Sequence, residues 1–242
     1  MQNQNNNNKM KTNTRKNTRL AGILFIAGMI AGVLSVVPAI DASDYLIKAA
    51  DNANQLIIGA IFHLIMAVAY IGVAITLYPI LKKFNKNLAL GFLSFRIIAT
   101  VFIILGVISL LLLLSLSQEY TKASPSDLVV FQTIGELLRS ARDFSNHIAM
   151  IISLSIGGIM FYALLFQAKL IPAWLSVWGL IGAILAIAAS LLVMFSMVEI
   201  VTPFYILLNV PMALQELILA LWLIFKGFKT DGLNFNLIKN NS

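Results

Sequence analysis

The chain contains no cysteine among its 242 residues. Disulfides, thiolate zinc sites, iron–sulfur clusters and cysteine nucleophiles are therefore excluded. Charge is also scarce, because only 11% of the residues are charged, against about 25% in a typical soluble protein. Histidine occurs only twice, and the H-E-x-x-H pattern of a zinc hydrolase, the G-x-S-x-G pattern of a serine hydrolase and a glycine-rich phosphate loop are all missing. These shortages argue against a soluble enzyme.

Apolar residues are abundant instead: 60% of the chain is hydrophobic and the mean hydropathy is +0.90. They occur in blocks long enough to cross a bilayer, which takes about 20 residues per helix. The predicted fold is therefore all-α, with six transmembrane helices in one bundle. The first block is long and no A-x-A site follows it, so we interpret it as a retained helix and not as a signal peptide. The predicted spans cover residues 20–40, 56–81, 88–117, 147–168, 173–198 and 203–226.

Three segments follow from these blocks. Residues 1–19 are rich in Asn and Lys and have almost no apolar side chain to bury, so we expect a disordered cytoplasmic tail. Residues 20–228 form the transmembrane domain, and residues 229–242 are predicted to be a cytoplasmic C-terminal tail.

The net charge of +7 reflects topology. The predicted spans place 12 Lys and Arg on one side of the membrane and four on the other, which by the positive-inside rule puts both termini in the cytoplasm. Basic residues distributed in this way do not indicate nucleic acid as a partner; the bilayer is the predicted partner, with a weak attraction to anionic lipid. The larger group is Lys9, Lys11, Arg15, Lys16, Arg19, Lys82, Lys83, Lys86, Lys169, Lys226, Lys229 and Lys239, and the smaller is Lys48, Lys122, Arg139 and Arg142.

The longest connection, residues 118–146, predicts an amphipathic helix over 128–143 on the outer side. Its apolar residues recur at helical spacing, with charged residues on the other face. Four charges would be costly in lipid, so we do not expect a seventh span. The helix is predicted either to lie at the outer interface or to close over the outer end of the bundle.

Small residues spaced four apart mark predicted helix contacts, because they let helix backbones approach closely. Packing within the chain is the expected role, and a dimer interface is the alternative. The pairs are Gly28 with Gly32, Gly179 with Ala183, and Gly182 with Ala186.

Two charges fall inside predicted spans. Arg96 lies eight residues in from Leu88, or about 12 Å, and Glu216 lies ten residues from Lys226, or about 15 Å. Both distances start from the same membrane face. An isolated charge at such depth costs about 3 kcal/mol or more, and pairing offsets most of that cost. The sequence therefore predicts a direct or water-bridged Arg96–Glu216 pair.

Polar residues near Glu216 extend this candidate site. Asn209 shares a helix face with Glu216, while Gln215 lies about 100° round the helix. Pro211 lacks an N–H and should kink the span. Two interpretations remain open: a buried ion pair that sets helix register, and a substrate or proton site.

A second group of candidates lies towards the outer side: His63, Tyr70, His147, Asp143 and Arg142. His63 lies on a face of small and polar residues and is expected to point into the bundle. Two histidines can in principle hold a haem or a metal. Since no ligand motif accompanies them, we predict no cofactor, no metal and no catalytic residue.

Three stretches carry a family resemblance: "LALGFLSFRIIATV", "KLIPAWLSVWGLIGAILA" and "NVPMALQELILALWLIFKGF". Together they resemble the bacterial membrane proteins grouped as domain of unknown function 4386, over roughly residues 20–228. The resemblance rests on Arg96, Ile171-Pro172, and Glu216 with Trp222, Lys226 and Gly227. It implies six helices and the importance of the Arg and the Glu, and it implies no activity.

Three functions remain open from the sequence. The first is a permease for a small molecule or ion, with a site built on Arg96, Asn209, Gln215 and Glu216. Its 3+3 spans would enter the membrane from opposite sides, as inverted repeats do. The second is a non-enzymatic scaffold or sensor with a structural ion pair, and the third, disfavoured by the missing motifs, is an intramembrane enzyme. The predicted location is the bacterial cytoplasmic membrane.

Overall fold

The computed structural model describes the backbone of residues 2–200 and 202–229, with side chains from Thr12 onward. The described part of the chain is predominantly helical and has no strand. A short 3-10 helix, Pro38–Ile40, follows the first helix, and a π-helix, Phe144–Ala149, joins the fifth to the sixth. The α-helices are α1 (Gln2–Leu34), α2 (Tyr45–Asp51), α3 (Ala53–Leu81), α4 (Lys86–Tyr120), α5 (Leu128–Asp143), α6 (Met150–Gln167), α7 (Ala173–Met194) and α8 (Pro203–Phe225).

Six long apolar helical segments form a closed ring. Each packs on its neighbours in chain order, α1 on α3, α3 on α4, α4 on α6, α6 on α7 and α7 on α8, and α8 closes the ring on α1. These segments are long and apolar enough to cross a membrane, and the fourth comprises α5, the π-helix and α6 together. The chain is therefore a multi-pass membrane protein with six candidate spans, which confirms the predicted fold class.

The outside of the ring is apolar. Val33, Val68 and Leu207 are more than half exposed although they are large and hydrophobic, and no candidate span buries more than 44% of its most apolar window. A water-soluble bundle would bury such side chains, whereas lipid accommodates them. We call the end of the ring that carries Lys82, Lys169 and Lys226 the basic end, and the other end the opposite end.

The last turns of α4 and the helix α5 extend beyond the ring at the opposite end. α4 has 35 residues, or about 52 Å, which exceeds the roughly 30 Å of the hydrocarbon core. Its last turns pack against α5 and α2, around a second apolar core that includes Tyr45, Leu46, Leu110 and Leu113. The predicted helix over 128–143 is confirmed as α5, and it continues through the π-helix into α6.

Several predicted span ends differ from the structure. The first span ends at Leu34 and not at residue 40, because the chain turns into the 3-10 helix that begins at Pro38, where proline has no N–H to donate. The fifth span ends at Met194, shortly before Ser196 takes a positive φ of 55°. Such a backbone angle ends a helix.

The predicted disordered tail over residues 1–19 is wrong for residues 12–19, which belong to α1. Polar contacts with neighbouring helices hold this segment, and the sequence shows no sign of them. Asn17 donates to the carbonyl of Thr76 at 3.3 Å, and Arg19 donates to that of Ile224 at 3.2 Å. The predicted C-terminal tail lies, except for Lys229, outside the described residues.

The small residues pack within the chain, as expected. A Cβ on Gly28 would meet the ring of Tyr70 at 2.9 Å, and one on Gly182 would meet the backbone of Met212 at 3.0 Å. A Cβ on Gly179 would come within 2.6 Å of the ring of Tyr162, closer than the other two contacts. These glycines therefore set how closely the helices pack.

Replacing Gly179 by Ala should destabilise the protein, because Tyr162 is held by a hydrogen bond to Gln215 and cannot move aside freely. Overpacking of this kind costs about 1–3 kcal/mol. Gly158→Ala is the matched control, since its Cβ would meet nothing nearer than 3.5 Å. We expect a lower thermal unfolding midpoint in detergent for Gly179→Ala only. Equal midpoints for the two variants would contradict this packing account.

Candidate functional site

Arg96 and Glu216 meet inside the ring. Arg96 lies ten residues from the start of α4 and Glu216 nine residues from the end of α8, so both are about 14–15 Å from the basic end. Nη2 of Arg96 is 3.3 Å from Oε1 of Glu216, and the two residues are 1% and 8% exposed. The predicted intramembrane ion pair is confirmed.

Aromatic rings surround the Arg96 guanidinium. Its central carbon lies 5.0 Å from the ring centre of Tyr70 and 5.4 Å from those of Phe25 and Phe92. A guanidinium near ring faces gains cation–π attraction, which increases as water is excluded. Helices α1, α3 and α4 thus all contribute to holding this one cation.

The ion pair uses only part of the hydrogen-bonding capacity of Arg96. Its Nε and Nη1 are buried and have no hydrogen-bond partner among the described residues. A guanidinium can donate five hydrogen bonds in a planar fork, and a purely structural pair is expected to satisfy them. The free donors of Arg96 are thus able to bind an additional acceptor.

Gln215 belongs to a separate network beside the pair. Its Oε1 accepts a hydrogen bond of 2.7 Å from the hydroxyl of Tyr162, and its Nε2 donates to the carbonyl of Leu175 at 3.0 Å. Tyr162 lies within electrostatic range of both Arg96 and Glu216. The amide therefore joins α6, α7 and α8 directly behind the ion pair.

Asn209 is used within its own helix. Its Nδ2 donates to the carbonyl of Tyr205, one turn earlier in α8, at 2.9 Å. It lies seven residues from Glu216 on the same face and is partly buried. Pro211 lies between them, inside α8, and its missing N–H leaves the Leu207 carbonyl without its usual donor. The backbone of α8 therefore lacks one hydrogen bond at this point.

A second polar cluster lies nearer the opposite end. Nδ1 of His147 is 2.9 Å from the hydroxyl of Tyr205, and Ser190 donates to the backbone carbonyl of His147 at 2.8 Å. Because α8 rises about 1.5 Å per residue, Tyr205 is about 16 Å from Glu216 along the helix. The outer candidate residue His147 therefore links the π-helix to α7 and α8.

Arg142 points into the same region, although the sequence places it on the charged face of α5. It is 8% exposed, its Nη1 donates to Asp143 at 2.8 Å, and it approaches Asp41 to 3.7 Å. His63 and His147 both lie within electrostatic range of it. Four of the five outer candidates thus gather in one cluster.

Asn146 completes this cluster and was missed from the sequence. It is 4% exposed, and its side chain rests on Gly106, where a Cβ would come within 2.3 Å of Oδ1. Its Oδ1 and Nε of Arg142 are buried without a hydrogen-bond partner in the described chain. Asn146 belongs to the π-helix, a rare element that is frequent at functional sites.

The remaining outer candidate, Tyr70, is misplaced by the sequence. It lies against Arg96, 5.0 Å away, and belongs to the ion-pair site. Tyr162 and Phe92, which also form that site, carried no signal in the sequence, since aromatic residues are common in apolar spans. Within the described residues no group of three or more His, Asp or Glu could hold a metal ion.

A family model described as domain of unknown function (DUF4386) matches residues 20–227, which is most of the chain. No curated protein and no solved structure matches it. The match covers five of the six candidate spans in full and the first from Leu20 onward, and it includes both Arg96 and Glu216.

Removing one member of the ion pair should destabilise the protein. Glu216→Gln or Arg96→Met alone leaves a buried charge uncompensated, at a cost of roughly 3–5 kcal/mol. Changing both removes both desolvation costs, so the double variant should recover much of the loss. Thermal unfolding in detergent measures this difference as a double-mutant cycle.

The control is Ile97→Val with Leu217→Met, adjacent positions that are exposed to lipid. These changes should leave the unfolding midpoint unchanged. If the single changes at the pair were equally silent, the contact would have no structural role.

Proposed function

Since the chain belongs to the DUF4386 family, whose description states no activity, we propose a function from the site itself: a permease for a small polar molecule or ion. The observation that carries this proposal is the Arg96 guanidinium, which is fully buried mid-ring yet has two nitrogens without a hydrogen-bond partner among the described residues. A buried donor without a hydrogen-bond partner costs free energy. Its presence is explained if the donor binds an acceptor in another state of the protein.

The interior face of α8 supports a route to this site. Tyr205, Asn209 and Glu216 follow one another at spacings of four and seven residues, so they share one face. This face leads from the cluster around His147 to the ion pair. Polar residues aligned along one transmembrane helix are expensive in lipid, and they often mark substrate or ion pathways.

In this proposal the ion pair is a gate. Arg96 is 1% exposed and Glu216 8%, so the site is occluded in the conformation described. A substrate that offers acceptors to Arg96 would compete with Glu216 and release α8 from α4. The irregular bonding around Pro211 provides a place for α8 to bend, as discontinuous helices do in transporters.

We further propose that the protein lies in the bacterial cytoplasmic membrane with both termini in the cytoplasm. The support is the 12 to 4 distribution of Lys and Arg, which makes the basic end the cytoplasmic one. The cluster around His63, Arg142 and His147 would then lie near the outer surface.

Reporter fusions test this orientation. At Lys86, which the proposal places in the cytoplasm, only a reporter that works in the cytoplasm should be active. At Lys122, which it places in the periplasm, only a reporter that works in the periplasm should be active. Paired alkaline phosphatase and green fluorescent protein fusions at each position supply the internal control. The reverse pattern at either position would overturn the proposed orientation. It would also overturn the argument that the two sets of three spans enter the membrane from opposite sides.

The absence of cysteine makes water access to the site directly measurable, because any introduced thiol is unique. Thr100 lies one helical turn outward of Arg96, and Asn209 lies one turn from Tyr205. We expect the variants Thr100→Cys and Asn209→Cys to react with a charged methanethiosulfonate in membrane vesicles. Breaking the gate with Glu216→Gln should increase the labelling rate of both several-fold.

Leu214→Cys is the matched control on α8, because its side chain is 48% exposed on the lipid side of the ring and should not meet a charged reagent. If neither interior cysteine were labelled, with Glu216 intact or changed, no aqueous route would reach the pair. The permease would then be excluded.

A scaffold or sensor is the alternative function. The supporting observation is an exposed apolar stripe formed by Val130, Ile134 and Leu137 of α5 and continued by Phe144, the first residue of the π-helix. Under this alternative the ion pair only sets helix register. The labelling experiment separates the two functions, since a scaffold needs no aqueous route.

A further inference from the structure

A cavity of about 300 Å³ lies between α1 and the turn after α8 at the basic end. We propose that it binds a phosphate-bearing anion. The cavity is formed where residues 12–18 of α1 meet the turn after α8, and it includes neither member of the ion pair, so this inference does not depend on the proposed function. Its lining residues are Thr12, Thr14, Arg15, Thr18, Lys226, Gly227 and Phe228.

The chemistry of the lining favours an anion. Arg15 and Lys226 contribute two positive charges, and none of the lining residues is acidic. The Arg15 guanidinium and the Thr14 hydroxyl are hydrogen-bond donors of the kind that bind phosphate oxygens, with arginine able to bind two oxygens at once. A carboxylate ligand would use the charges equally well, but a phosphate offers more oxygens to share among the guanidinium, the ammonium and the Thr14 hydroxyl.

The walls of the cavity are held in place by the chain itself. Lys226 and Gly227 both donate from their backbone to the carbonyl of Trp222, at 2.8 and 2.9 Å, and the indole of Trp222 donates to the carbonyl of Gly227 at 3.1 Å. Gly227 has a φ of +73°, which favours glycine, and a Cβ there would approach Thr18. The turn therefore has one defined shape.

The two walls are also tied to each other. Arg19 donates to the carbonyl of Ile224, which joins α1 to α8, and Thr18 donates to the carbonyl of Arg15, which orients the first wall. The buried ring of Phe228 lines the base of the cavity. Unlike a scatter of surface lysines, the site is built from two elements fixed against one another.

The position of the cavity matches the headgroup region of a membrane. Lys226 follows Phe225, the last residue of the sixth candidate span, and Arg15 precedes the most apolar part of the first. Basic pockets between transmembrane helices bind anionic headgroups. The phosphate could belong to such a lipid or to a soluble phosphate compound, and the chemistry of the site is the same for both.

The test uses the full chain purified in a neutral detergent, with the thermal unfolding midpoint as readout. Short-chain phosphatidylglycerol, short-chain phosphatidylcholine and inorganic pyrophosphate are titrated separately. We expect the midpoint to rise and saturate with phosphatidylglycerol or pyrophosphate, as for any ligand that binds only the folded state, and not with phosphatidylcholine. A rise with phosphatidylglycerol alone identifies a lipid, and a rise with pyrophosphate identifies a soluble compound.

The double change Arg15→Gln with Lys226→Gln should abolish this rise. Both side chains are exposed, so their replacement leaves the packed core intact. Lys82→Gln with Lys86→Gln removes the same charge at the same end and should keep the rise. The proposal is overturned if neither anion raises the midpoint more than phosphatidylcholine does, or if the control pair loses the response as fully as the cavity pair.

Discussion

The ring depends on how a single guanidinium is accommodated about 15 Å inside an apolar bundle. Arg96 takes a carboxylate from α8 and ring faces from α1, α3 and its own helix. Because α1 and α8 are the first and last helices of the ring, the contacts of one side chain connect its beginning, middle and end. In hydrocarbon, where apolar side chains gain nothing by leaving lipid, such polar contacts decide which helices become neighbours.

The polar groups of the interior fall into two layers. One lies at the ion pair, backed by the Tyr162–Gln215 network; the other lies at the π-helix, around His147 and Arg142. Between them α8 carries polar side chains along one face. Both layers contain buried nitrogen or oxygen atoms without a hydrogen-bond partner in the described chain. Unmet polar groups are rare in interiors and are retained where a function requires them.

The sequence predicted what depends on composition and depth. Apolar blocks indicated the six helices, and two charges at matching depth indicated the pair of Arg96 and Glu216. Tyr70 and Tyr162 could not be assigned to the ion-pair site from the sequence. The periodicity of one helix shows which residues share a face, but it does not show which other helix packs against that face. The beginning of α1 was missed for a similar reason: Asn17 and Arg19 are ordered by carbonyls on α3 and α8, and no local pattern announces such partners.

The helix that begins at Leu128 continues without a break to Gln167, a rod of 40 residues or about 60 Å. One part of this rod lies beyond the ring on the surface of the protein, and the other carries Tyr162, which is bonded to the residue next to Glu216. A displacement of α5 along its axis would therefore reach Tyr162 through one continuous helix. The exposed stripe of α5 and the surroundings of Glu216, although far apart, belong to one structural element and its direct hydrogen-bond partner.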